Sequence, residues 1–119
     1  MKIAVTASNN EGLESKVNKH FGRSPFFAIL DTEEEGIELI KNSAAQAPSG
    51  AGVSAAQLIS DQGVDALLSG SVGPKAYTTL TSGGIKMYIT KDDTVGEAVK
   101  AFKNNELSQL NSPNGTPRK

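Results

Sequence analysis

The sequence predicts a single small α/β domain with the element order β-β-β-α-β-α-β-α and five strands in its sheet. Three observations lead there. Short runs rich in aliphatic residues recur along the chain, bounded by turn-forming residues. In the second half these runs alternate with segments of helical period, which favours parallel strands joined by right-handed crossovers. In the first half two runs are separated only by a charged turn, the signature of an antiparallel hairpin.

The elements follow in order. Lys2 to Ala7 is a β-branched strand, and Ser8 to Ser24 is a long polar loop that carries His20 near its end. A loop of that length is expected to be functional or mobile. Pro25 to Asp31 is a second strand, Thr32 to Gly36 a charged turn, and Ile37 to Lys41 a third strand. On that third strand Ile37, Leu39 and Lys41 share one face, and Glu38 and Ile40 the other. Ser43 to Gly52 is rich in Ala, Ser, Gly and Pro and forms a loop. Gly52 to Gln62 has helical spacing, with Val53, Ala56, Ile59 and Leu58 toward the sheet and Gly63 as its stop. Val64 to Ser69 is a buried type of strand, followed by the tight loop Gly70–Gly73. Pro74 suits the first turn of the next helix, which carries Ala76, Tyr77 and Leu80 and stops near Gly83 and Gly84. Ile85 to Thr90 is the last strand. Thr94 and Glu97 match a capping box, and the helix they open aligns Val95, Ala98, Val99 and Phe102. Residues 1–107 thus form the domain, and 108–119 are expected to be a disordered tail, because the chain from Asn111 onward has no apolar anchors.

Composition narrows the function classes. The chain has 119 residues, 37% of them hydrophobic, enough for one core. The formal net charge is -1, so the basic excess of a nucleic-acid binder is missing. No apolar run has membrane-spanning length, and the first residues run directly into a strand, so neither a membrane span nor a signal peptide is expected. With no cysteine, disulfides and thiolate metal sites are excluded, and a cytoplasmic location is expected.

Topology places the site before any residue does. If strand one runs upward, the hairpin sends strand two down and strand three up, and the helices return the chain so that strands four and five also run up. The loops 8–24, 43–52 and 70–73 and the segment 90–94 then share one edge, where three helices also begin. Free N–H groups and helix dipoles favour an anion there, and ligands of open α/β sheets sit beyond the carboxyl ends of the strands. His20 is the most versatile group on that edge, either a metal ligand or proton carrier or simply a polar loop residue. Arg23 either binds an anion with its fork or pairs with a nearby carboxylate. Ser49-Gly50-Ala51-Gly52 is an anion-cradling turn or a flexible connector, and matches neither a P-loop nor a dinucleotide fingerprint. Gly70-Ser71-Val72-Gly73 is a close-approach ligand loop or plain helix-start chemistry. Carboxylate catalysis fits poorly, since strand one carries no acid and Asp31, Asp61 and Asp65 fall at the far edge. Ser24 and Ser71 are the remaining hydroxyl candidates for a nucleophile, and Phe21, Phe26 and Phe27 read as core and rim packing.

Several of these stretches occur in an ordered set: Asn18-Lys19-His20-Phe21-Gly22-Arg23-Ser24, the loop from Asn42 into Val53-Ser54-Ala55-Ala56-Gln57-Leu58-Ile59, Gly63 to Gly70 with Val72-Gly73-Pro74, and Gly84-Ile85-Lys86-Met87-Tyr88. Together they resemble the dinitrogenase iron-molybdenum cofactor biosynthesis domain family, over about residues 1 to 107. The resemblance implies a ribonuclease-H-like fold with a mixed five-stranded sheet. It implies a non-enzymatic carrier of an iron-molybdenum or other metal-sulfur cofactor or precursor, a cargo that purified protein can lack, exchanged with donor and acceptor proteins in work related to nitrogen fixation. It makes His20 the best candidate for a metal ligand, and the loops of the shared edge add Arg23, Ser49, Gly50, Gly52, Gly70, Ser71 and Gly73 as the groups expected around the cofactor. Where some relatives carry further Cys or His, this chain has Ala44-Ala45-Gln46-Ala47, so its coordination sphere is thin. The competing readings are a small-anion or nucleotide module and a protein-interaction domain without metal.

Overall fold

The computed structural model describes residues 1–114 and arranges them in three layers. The chain runs β1 (Lys2–Ala7), a 3-10 turn (Gly12–Glu14), β2 (Phe26–Asp31), β3 (Glu38–Lys41), α1 (Ala51–Asp61), β4 (Ala66–Ser69), α2 (Pro74–Ser82), β5 (Lys86–Ile89), α3 (Val95–Lys103) and β6 (Ser108–Gln109). The sheet order is β3-β2-β1-β4-β5-β6. β2 is antiparallel to both neighbours, β1, β4 and β5 are mutually parallel, and β6 is antiparallel to β5. The expected up-down-up tracing therefore holds, and β1, β3, β4 and β5 all end on one edge of the sheet.

The sheet has six strands rather than the expected five. The sixth lies in the segment expected to be a disordered tail: Ser108 and Gln109 pair with Ile89 and Tyr88, and Leu110 N–H donates to Met87 O at 2.7 Å. Sequence gives little sign of so short a strand, because β5 supplies its hydrogen bonds and Leu107 and Leu110 its apolar anchors. Expectations for residues 115–119 lie outside the described residues.

β1 is the central strand, and Ile3 to Ala7 are buried. Its side chains alternate between two cores. Ala4 joins Phe27, Ile29, Leu67 and Met87 against Ala55, Ala56 and Ile59 of α1 and Ala76 and Leu80 of α2. Ile3, Val5 and Ala7 join Ala28, Leu30, Ala66 and Leu68 against Val95, Ala98 and Val99 of α3. Each fully buried aliphatic side chain is worth about 1.5–3 kcal/mol against exposure. The face assignment on β3 follows the same alternation, with Ile40 against the first core and Ile37 and Leu39 against the second.

One core expectation fails. Val53 is 39% exposed rather than facing the sheet. It lies in the first turn of α1, and the buried stripe is Ala51, Ala55, Ala56 and Ile59. That stripe is small because the helices approach closely: a Cβ on Gly52 would stand 3.2 Å from the Ala76 Cβ.

Candidate functional site

The loop 8–24 is long but pinned. Val17 N–H donates to Asp93 O, Asn18 N–H to Thr6 O, and Thr6 Oγ1 to Asn18 O at 2.6 Å. Ser24 is fully buried; its Oγ accepts from Ala7 N–H at 3.0 Å and donates toward Phe26 O at 2.8 Å. Phe21 is buried and packs on Phe27 with ring centroids 5.3 Å apart. That anchor leaves its neighbour His20 exposed at the carboxyl edge. A buried Asn42 holds the next loop in place, donating from Nδ2 to Ser24 O at 2.8 Å and to Gly22 O at 3.3 Å.

His20 meets the loop after β4. His20 and Ser71 form an isolated parallel bridge, and Phe21 N–H donates to Ser71 O at 3.2 Å. Ser71 Oγ donates to Lys19 O at 2.8 Å and lies 3.3 Å from His20 Nδ1. A serine hydroxyl has one hydrogen, and here it points to Lys19 O. With that hydrogen on Lys19 O, the hydroxyl's lone pair faces Nδ1, an arrangement that suits the Nδ1–H tautomer and leaves the Nε2 lone pair outward. The same geometry holds the ring rather than activating Ser71, whose proton faces a carbonyl. Ser24 is buried with its hydroxyl engaged.

The glycines of the site divide by cause. A Cβ on Gly70 would lie 2.9 Å from Lys19 O, and one on Gly22 3.0 Å from the Gly52 backbone, so both permit close chain crossings. Gly50 caps α1 in the left-handed region at φ 70°. Gly73 caps α2 at φ -72° with open space where a Cβ would stand, so nothing in its own packing requires glycine. Ser49 is exposed beside Gly50. Arg23 Nη1 donates to Ala45 O at 2.9 Å and Ala47 O at 2.7 Å, so Arg23 clamps the loop 43–50 while leaving its charge at the edge. Sequence reasoning missed Asn18, whose Oδ1 accepts from His20 N–H at 2.9 Å, Asn42, and Asn114, which bonds Gly70 and Val72, because an asparagine that holds a loop looks like any turn asparagine.

The three helix starts are not alike. α3 carries the expected capping box, with Thr94 Oγ1 accepting from Glu97 N–H and Glu97 accepting from Thr94 N–H. The segments 11–17 and 90–97 around it carry Glu11, Glu14, Asp92, Asp93 and Glu97 against Lys16 and Lys91, so they are acidic on balance. That start is filled, so it drops out of the expected anion site. α1 and α2 have no side-chain cap, and their first-turn N–H groups have no partner within the helix. The segments 18–24, 41–54 and 69–77 that surround them contain Lys19, His20, Arg23, Lys41 and Lys75 and no Asp or Glu. One half of the edge is therefore basic and lined with amide groups.

A bare metal ion does not fit this half: among the described residues no three His, Cys, Asp or Glu side chains stand together as ligands. An anionic group that brings its own ligands does fit, because amides and cations complement its charge and His20 can close one coordination position.

Fold and edge define a three-layer α/β domain with an anion-receptive edge. The sequence places it further. The family model for dinitrogenase iron-molybdenum cofactor proteins matches residues 1–105, and the chain belongs to that family. It is 34% identical over 113 residues to the uncharacterized protein MJ0580 of Methanocaldococcus jannaschii, covering 92% of each chain. Its fold is similar to the apo form of the orange protein from Desulfovibrio gigas, with a TM-score of 0.91, 35% identity and 96% of both chains covered. An NMR structure of a Thermotoga protein has a TM-score of 0.83 at 30% identity, with 98% of both chains covered.

Proposed function

We propose that this protein carries an anionic metal-sulfur cofactor or its precursor, an iron-molybdenum or iron-sulfur cluster, between donor and acceptor proteins in the cytoplasm, and does no chemistry on it. The observation that carries the reading is that the segments around two uncapped helix starts carry Lys19, His20, Arg23, Lys41 and Lys75 and no acid. His20 Nε2 supplies the one side-chain ligand. Amides near Gly50, Gly52 and Gly73 donate to the cluster's sulfurs, Ser49 and Ser71 stand beside those amides, and Arg23 and the lysines balance the charge. Membership of a family described by the dinitrogenase iron-molybdenum cofactor supports the kind of cargo. The order β3-β2-β1-β4-β5, with β2 alone antiparallel, supports a ribonuclease-H-like reading of the sheet.

The test is anaerobic loading with an iron-sulfur or iron-molybdenum cluster, followed by desalting. Wild type is expected to retain visible absorbance and metal, and His20→Ala to lose both; His20 is exposed, so the change leaves the fold intact. Equal retention by the mutant removes the ligand role. Shifts of the Gly50, Gly52 and Gly73 amides with inorganic phosphate, in protein that retains no cluster, transfer the site to a small-anion or nucleotide module.

A further inference from the structure

The last described residue reaches the site. After β6 the chain returns along the loop Gly70–Val72. Asn114 N–H donates to Val72 O at 3.1 Å, and Asn114 Oδ1 accepts from Val72 N–H at 2.8 Å. Its Nδ2 donates to Gly70 O at 3.2 Å. The amide orientation is unambiguous, since a peptide N–H needs an acceptor and a carbonyl needs a donor. Asn114 thus holds the residues on both sides of Ser71. Ser71 in turn holds the other side: its hydroxyl donates to Lys19 O, its carbonyl accepts from Phe21 N–H, and its lone pair faces His20 Nδ1.

The geometry points to Asn114 as a positioning residue of the His20 site. No hydrogen bond joins it to the imidazole; its partners are Gly70 and Val72. It fixes the Gly70–Val72 backbone, the backbone places Ser71 Oγ, and Ser71 Oγ sets which ring nitrogen of His20 keeps its lone pair outward. Outer partners that fix a histidine tautomer commonly decide how well the ring serves as a ligand. The asparagine side chain suits the task because it offers one acceptor and two donors at one point, matching the Val72 N–H and the Gly70 carbonyl. The inference rests on the reading of His20 as the cargo's ligand, but its test requires no cargo.

The experiment uses the full chain, 15N-labelled and without cluster, at about pH 8.5, where an ordinary imidazole is neutral. Long-range proton–nitrogen spectra report which ring nitrogen of His20 carries the proton. Wild type is expected to favour Nδ1–H. Asn114→Ala is expected to lose that preference and to move the Ser71 and Phe21 amide signals, with the thermal midpoint unchanged. Ser71→Ala is expected to produce the same ring signature, which places Asn114 upstream of Ser71. Asn114→Asp keeps the acceptor for Val72 N–H and loses the donor to Gly70 O, and is expected to fall between. A His20 ring and Ser71 amide that do not respond to Asn114→Ala overturn the assignment, as does a wild-type ring with no preference for Nδ1–H. Failure of cluster loading in a protein whose His20 ring does respond would count against the carrier reading alone.

Discussion

Two halves of one sheet edge receive helix starts and treat them in opposite ways. On the α3 side, Thr94 and Glu97 close the helix start reciprocally, and the segments around it carry Glu11, Glu14, Asp92 and Asp93 against Lys16 and Lys91. On the α1 and α2 side the caps are Gly50 and Gly73, neither with a capping side chain, and the surrounding segments carry cations and no acids. A capping side chain stabilises a helix by about 1 kcal/mol. The first half takes that stabilisation; the second leaves its first-turn amides without a capping side chain. On the proposed reading, the first start serves stability and the other two serve binding.

Four substitutions act on the two halves differently. The largest effect is expected from Gly70→Ala. Its Cβ would stand 2.9 Å from Lys19 O, which is backbone and cannot swing aside, so the variant should lose roughly 1–3 kcal/mol in urea unfolding and displace His20. Next is Gly73→Asp, which would make the α2 start resemble that of α3. Its backbone at φ -72° and ψ 169° accepts an N-cap residue, so stability should hold or rise by a few tenths of a kcal/mol. The carboxylate would occupy the amides, and anionic-cluster retention should fall about tenfold, or 1.4 kcal/mol. Unchanged retention would mean that the α2 start is not part of the site.

Thr94→Ala should cost about 1 kcal/mol, read by thermal unfolding, with cluster retention unchanged. A loss of retention there would erase the distinction between the two halves. The smallest effect belongs to the opposite edge. The Glu33 N–H donates to Asp31 and, with the chain's amino terminus nearby, holds its carboxyl below the ordinary range. A depressed folded pKa stabilises above the unfolded value and is lost as pH falls through the folded one. Asp31→Asn should therefore slightly flatten the acid limb of the stability profile, without touching cluster retention.

The capping box was legible because it is local: four consecutive residues contain all its partners. The hairpin and the βα alternation were legible because period and turn chemistry act over a few residues. The face of Ile40 followed from alternation alone. Val53 was misplaced because helical spacing does not say where a sheet ends. β6 was missed because two residues carry no period, and their order comes from β5.

Fold class, strand directions, the edge where the loops gather and the residue types available there can all be read along the chain. Local propensities and chain connectivity suffice for these. The tertiary structure decided which helix starts stay open, that Arg23 clamps Ala45 and Ala47, that Ser71 faces His20 Nδ1, and that Asn114 closes the loop behind it. Those pairings join residues between 22 and 51 positions apart, and only the packed sheet sets such distances.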